Sequence, residues 1–325
     1  MSKYKILLII GNGFDLNLDL PTSYSDFIES EHFKKHLNFK HFENAAIDEH
    51  DRNIFNYLQR QKNLKGWVDV EEELKKYASN QRVEYHREGH GLISMPNASD
   101  PQIRASYTLL CNELKNYLTQ DLNYLDIDKS ALALDVLEQV SLCEQNSVVT
   151  FNYTRLDRLS NHISKKCKNI PVVYIHGNID DDNIILGFQR NENLAQGYEY
   201  MIKTRNPNYN PCRLAERMKE ADEVIVFGHS LGSTDDFYFK EYFNYVSKNK
   251  CDKTLTLFTY DRTSREKLVS RMVELTDQHY EEMLDNIEVN VFETKNDYVR
   301  ISQYIAGLKK KCKPVTLLNR IFTKK

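Results

Sequence analysis

Four short motifs carry residue types that chemistry needs: Gly11-Asn12-Gly13-Phe14-Asp15, Phe151-Asn152-Tyr153-Thr154, Tyr174-Ile175-His176-Gly177-Asn178 and Gly228-His229-Ser230-Leu231-Gly232. Two glycines in the first permit a tight turn with outward backbone N–H groups, a device that holds phosphate oxygens. An ordinary strand-to-helix turn with Asp15 capping the chain explains the same letters, because the third glycine of G-x-G-x-x-G is missing. Asn152 could orient a sugar hydroxyl or a water; as a helix cap it needs neither. A histidine titrates near neutrality, so His176 could serve as a general base with Gly177 leaving room for substrate, or it could be a hydrogen-bonded structural residue. The fourth motif fits G-x-S-x-G, the nucleophile elbow of serine hydrolases, and chain order supplies Asp261 and then His279 as triad partners for Ser230. His279, however, falls in a predicted helix, Thr276 to Asp285, ahead of the apolar run Ile287 to Phe292. A hydrolase triad histidine follows the last strand.

These motifs need elements to position them, and the hydrophobic pattern supplies those. Short apolar runs rich in branched residues recur at Lys5 to Ile10, Ser147 to Phe151, Val172 to Ile175, Ile184 to Leu186, Glu223 to Phe227 and Thr254 to Thr259. They read as buried strands, and Ile287 to Phe292 alternates as an edge strand does. Intervening helical stretches predict an α/β fold, a Rossmann-like parallel sheet flanked by helices. Each motif then follows a strand directly, at the carboxyl edge where open parallel sheets bind ligands, so the four should converge on one crevice. Between the first two strands, helix-like stretches such as Val70 to Tyr77 and Ile103 to Leu118 dominate. Residues 25–146 are read as a large helical insertion after the first strand, within a single α/β domain spanning 1–325. Gly89 to Pro101 and Asn191 to Pro211 collect loop formers, the first as the candidate mobile loop over a site. In Trp67-Val68-Asp69-Val70-Glu71, one carboxylate could reach the crevice; a helix-start charge preference beside a buried indole is the better explanation.

Hydrophobic residues at 41% and charged residues at 28% are ordinary globular usage and exclude disordered and fibrous classes. With a net charge of -3 and no extended basic block, nucleic acid is an improbable partner. No apolar stretch approaches the ~20 residues of a spanning helix, and the run Ile6 to Ile10 is too short for a secretory signal, so the expected location is cytoplasmic. Six cysteines without a C-x-x-C pair predict free thiols rather than a zinc ribbon or a disulfide framework. The basic segment Lys309 to Lys325 is expected to be a solvated tail with one apolar face packed on the body.

With Leu20-Pro21-Thr22-Ser23-Tyr24, Trp67 to Glu71 and Asp235 added to the four motifs, the chain resembles the AbiH family of bacteriophage abortive-infection proteins along its whole length. The same motif order is similar to the sirtuin-like NAD-binding fold. That resemblance implies NAD as substrate or ligand, no metal, and Asn152 and His176 as catalytic residues. It assigns NAD binding to Gly11, Asn12, Gly13, Asp15, Thr22, Ser23, Gly228, His229, Ser230, Asp235 and Asp261. Thr154 stands where sirtuins carry an acid, Asn12 replaces a small residue, and the cysteine pairs of the sirtuin zinc module are absent. These departures turn the expectation from protein deacylation to hydrolysis of NAD in phage defence, with a serine hydrolase using Ser230 and a non-catalytic nucleotide sensor as alternatives. The phage-derived trigger and assembly into a homo-oligomer are left open.

Overall fold

A computed structural model describes residues 4–37, 53–61, 66–79, 101–124 and 126–312, apart from 160, 165, 166, 168, 182, 190–193, 195 and 211. Six strands form one sheet: β1 (Lys5–Ile10), β2 (Gln145–Thr150), β3 (Val172–Tyr174), β4 (Glu223–Phe227), β5 (Thr254–Thr259) and β6 (Glu288–Glu293). All pairings are parallel and the order is β3-β2-β1-β4-β5-β6. The chain winds outward from β1 through β2 to β3, then returns to the other side of β1 and winds outward again. The winding therefore reverses between β1 and β4, and their carboxyl ends flank the crevice this leaves. β1 pairs on both edges and is covered on both faces, which is why it reads as an unbroken apolar run. β6 closes one edge, and its first half is the more exposed.

The described helices are α1 (Asn12–Asn17), α2 (Tyr24–Glu29), α3 (Glu31–Lys34), α4 (Ile54–Arg60), α5 (Trp67–Tyr77), α6 (Pro101–Gln120), α7 (Leu132–Ser141), α8 (Leu214–Glu220), α9 (Asp236–Lys248), α10 (Arg262–Leu275), α11 (Tyr280–Asn286) and α12 (Tyr298–Lys311). Alternating residues of β1 divide the core. Ile6, Leu8 and Ile10 pack with Val136, Leu137 and Val140 of α7 and Ile301 and Leu308 of α12. Leu7 and Ile9 face the opposite layer, with Met218 of α8, Tyr242 and Phe243 of α9 and Met272 of α10. A third apolar cluster joins the helices between β1 and β2, through Phe27, Phe33, Phe55, Leu74 and Leu114, to Phe188, Met201 and Ile202. Ser23 and Asp26 fix the start of α2 by a reciprocal capping box.

Several expectations are corrected. Ile184 to Leu186 forms no strand: Leu186 and Phe188 are buried against the third cluster, and the Tyr107 hydroxyl donates to the Leu186 carbonyl. Burial makes an extended segment as apolar as a strand, so composition cannot separate the two. Asn152 is followed by a 3₁₀ turn, Leu156–Leu159, rather than by a helix that it caps. His279 lies just before α11 as its N-cap rather than within it. Cys143, after α7, and Cys312, after α12, form a disulfide, while Cys111, Cys167, Cys212 and Cys251 are free thiols. Residues 89–100 of the proposed mobile loop lie outside the described residues, and Pro101 opens α6. No described helix is long and apolar enough to cross a membrane.

Candidate functional site

A cavity of about 410 Å³ opens over the carboxyl ends of β1, β2 and β4. Gly11, Asn12, Gly13, Asp15, Thr22, Asn152, His176, Gly228, His229, Ser230 and Asp235 all line it. Ser23 and Asp261 do not: Ser23 caps α2, and Asp261 caps α10 by accepting from the Ser264 N–H and hydroxyl, each at 2.9 Å. Four motifs separated by up to some 200 residues thus meet at the reversal point of the sheet.

The glycines act differently from the expectation. Gly11 N–H donates to Phe227 O at 3.0 Å and Gly13 N–H to Gly228 O at 2.9 Å, so both are engaged across the β1–β4 gap rather than turned to a ligand. A Cβ on Gly13 would lie 2.6 Å from the Gly228 Cα, and one on Gly228, whose φ is +66°, would strike the Gly13 backbone. The two loops touch backbone to backbone, which only glycine allows. Among the described residues, the N–H groups of Asn12, His229 and Ser230 have no partner, and these residues line the cavity. Gly177 likewise leaves no open space: its φ is +75°, and a side chain there would strike Asn183.

Asn152 and Asp15 form the floor. The Asn152 side-chain amide donates to Gly11 O at 3.1 Å, tying the end of β2 to the loop after β1. Asp15 is buried and accepts from the Thr154 hydroxyl at 2.6 Å. Burial pushes its carboxyl up to about 6, against the opposing hydrogen bonds from Thr154 and Asn152. Thr154, after β2, thus holds an acid contributed by α1. Because the folded pKa is raised, the native protein binds this proton more tightly than the unfolded chain between about pH 4 and 6. Asp15 therefore makes stability fall as pH rises through that window. Asp15→Asn, which keeps an acceptor for Thr154, is expected to remove that fall; melting temperatures of the two proteins from pH 4 to 7 measure it by difference.

The opposite wall is a buried ionic cluster that was only half visible in the motifs. Asp235, in a 3₁₀ turn after β4, places Oδ1 3.4 Å from Nε2 of His176 and Oδ2 3.6 Å from Nε2 of His229. His229 Nδ1 accepts from the Leu231 N–H at 3.0 Å, so the proton of the neutral ring is assigned to Nε2, facing Asp235. His176 Nε2 is buried and, despite its closeness to Asp235, forms no hydrogen bond of good geometry. Lys203, fully buried in the 3₁₀ turn Lys203–Arg205, donates to Asp235 at 2.9 Å and reaches Glu71 of α5 at 2.8 Å. Burial alone would raise the Asp235 carboxyl; Lys203 and His176 outweigh it and hold it well below the usual range. Burial would lower the Lys203 ammonium, but Asp235 and Glu71 outweigh it and raise it. The helix-start explanation of the two carboxylates in the first turns of α5 holds for Asp69, which accepts from the Gly66 N–H, and fails for Glu71.

Ser230 is exposed at the cavity mouth. Its expected triad partners are committed elsewhere, Asp261 to Ser264 and the exposed His279 to Glu282 at 3.0 Å. Lys267 of α10, which no motif flagged, also lines the cavity, and no described residue forms an ion pair with it.

Residues 7–260 match the family described as bacteriophage abortive infection AbiH. The chain belongs to the AbiH family. The matched span contains every cavity residue named above except Lys267. AbiH membership implies a role in abortive-infection defence against bacteriophage. No curated protein matches the sequence.

Proposed function

We propose that this AbiH protein binds NAD across the β1–β4 crevice and hydrolyses the nicotinamide–ribose bond as its contribution to phage defence. The observation that carries this reading is the meeting of Asn152 with the His176–Asp235–His229 set in a cavity at the reversal point of a parallel sheet. Nucleotides bind at such points, and hydrolysis at a sugar carbon asks for a polar group to orient water or ribose and a base to take a proton. The C1′–N bond breaks with its electron pair passing to the pyridinium nitrogen, which leaves as neutral nicotinamide. Water adds to C1′ and gives its proton to His176, leaving ADP-ribose. Asn152 positions the water or the ribose hydroxyls, and Asp235 stabilises the imidazolium.

Charge supports the same assignment. Glu71 and Asp235 carry two negative charges against the single ammonium of Lys203, so with neutral histidines the wall retains a negative charge beside a transition state of oxocarbenium character. The phosphates fall to Ser230, Lys267 and the unpartnered N–H groups, all on residues that line the cavity. Lys267→Ala is expected to weaken NAD binding about tenfold at low salt, with the gap closing as salt screens the exposed charge. Calorimetry at two ionic strengths checks it.

Titration of NAD into purified wild-type protein, with nicotinamide followed by chromatography, tests the reading itself. A fluorophosphonate probe that labels Ser230 would favour a serine hydrolase, and binding without turnover in phage-challenged cells would favour a sensor.

A further inference from the structure

Leu231 follows the exposed Ser230 and adopts a φ of +53°, a region that bulky side chains rarely enter and keep only where their surroundings fix them there. Both of its backbone polar groups are held. Its N–H donates to Nδ1 of His229 at 3.0 Å, and its carbonyl accepts from Nε of Arg271, on α10, at 2.8 Å. Its side chain is buried in the same apolar layer as Phe239 of α9 and Met272 of α10. The Arg271 guanidinium also donates through Nη2 to Asp236, the first residue of α9, and through Nη1 to Glu274, three residues along its own helix. Leu231 and Asp236 lie on either side of Asp235, whose N–H donates to the Gly232 carbonyl at 3.0 Å. Arg271 itself does not line the cavity; Lys267, one turn earlier on α10, does.

We infer that Arg271 is a positioning residue for this wall of the cavity: one guanidinium ties the strained turn at Leu231 to the start of α9, and so sets His229 and Ser230 against Asp235. For ligand affinity the inference rests on the reading of the crevice as the NAD site; the tie itself does not. The guanidinium fork suits the task, because Nε and Nη2 lie in one plane at a fixed spacing and hold two acceptors from different segments at once. An ammonium on a flexible stem has no such geometry. Withdrawing the fork leaves the buried Leu231 carbonyl without its donor, at the cost that attends any stranded buried acceptor. With one of its two bonds gone, the turn relaxes toward an ordinary φ, which takes the Leu231 N–H from His229 and shifts Ser230, its neighbour in the chain. His229 then loses the bond that directs Nε2 toward Asp235. Asp235 stays in place, since Lys203 holds it from the other side.

The test combines amide hydrogen exchange with NAD calorimetry on the full chain, comparing wild type with Arg271→Ala, Arg271→Lys and Asp236→Ala. The Asp236 side chain is 42% exposed, so its substitution releases one end of the tie without opening the core and covers a folding failure at Arg271. The expected result is exchange of the Leu231 amide at least tenfold faster in both Arg271 variants and by a smaller factor in Asp236→Ala, with the amides of β4 and β5 as protected as in wild type. NAD affinity should fall at least fivefold in both Arg271 variants, equally at low and high salt, whereas the loss in Lys267→Ala closes with salt. Wild-type exchange at Leu231 in Arg271→Ala, or in Asp236→Ala if neither Arg271 variant folds, overturns the inference. So does faster exchange spread evenly over the sheet, which would make Arg271 a stabilising residue only. Recovery of NAD affinity by Arg271→Lys assigns the effect to charge and overturns it too, as does unchanged affinity in a variant whose Leu231 amide exchanges faster. If wild type binds no NAD, the NAD reading falls and the exchange rates alone decide the role of Arg271.

Discussion

His176→Ala is expected to reduce nicotinamide release by about 10²- to 10⁴-fold, the range that a positioned general base supplies. The argument is geometric. His176 stands at the end of the β3 segment, lines the cavity and approaches Asp235, whose charge Lys203 maintains in a buried setting. Removing the imidazole takes away the proposed proton acceptor and leaves Ser230 and Lys267 in the cavity lining, so kcat should fall with little change in KM. Asp235→Asn should reproduce much of the loss, because an amide cannot stabilise the imidazolium as a carboxylate does. The melting temperature separates this from misfolding. Wild-type turnover in His176→Ala would remove this residue from the mechanism.

Lys203→Met should destabilise the fold by about 3–5 kcal/mol, the cost of leaving buried charge without its partner. The ammonium is fully buried between Glu71 and Asp235, so its loss strands two carboxylates in the interior. They would respond by taking up protons, and the deficit should therefore be largest at neutral pH and shrink on acidification. Adding Glu71→Gln to Lys203→Met should recover part of the loss by removing one stranded charge. Because Glu71 sits on α5, the same variant should loosen that helix from the sheet edge. Urea unfolding at pH 7 and pH 5 measures both effects, and a loss under 1 kcal/mol at pH 7 would show that the cluster contributes nothing to stability.

The sheet was legible chiefly because its central strands β1 and β4 are buried on both faces and so appear as near-continuous apolar runs. β1, β4 and β5 agree with the sequence reading to the residue. Ile184 to Leu186 carried the same signal for another reason, burial under the helices between β1 and β2. Most of the cavity was legible for a topological reason: parallel strands present all their carboxyl ends on one side, so a polar motif after each is delivered to one place. What stayed hidden depends on side chains that cross between elements. Lys203 lies in a stretch read as loop, where a lysine normally signifies solvent, and nothing local marks it as buried. Glu71 looked like a helix-start charge, and the carboxylate that does that work is Asp69, two residues earlier. Lys267 lies on the exposed face of α10, where its position at the cavity mouth is set by tertiary packing alone. The disulfide joins cysteines 169 residues apart, a pairing that spacing does not specify.

The most direct test of the NAD-consuming role is NAD content and nicotinamide release in cells expressing wild type, His176→Ala or Asn152→Ala, each with and without phage challenge. Challenge is needed because constitutive NAD loss would harm the host, so a resting sample can be silent. The predicted result is NAD loss with nicotinamide release on challenge in wild type alone, with protection lost in both variants. Protection that persists in wild type while NAD stays level would contradict hydrolysis of NAD as the effector step.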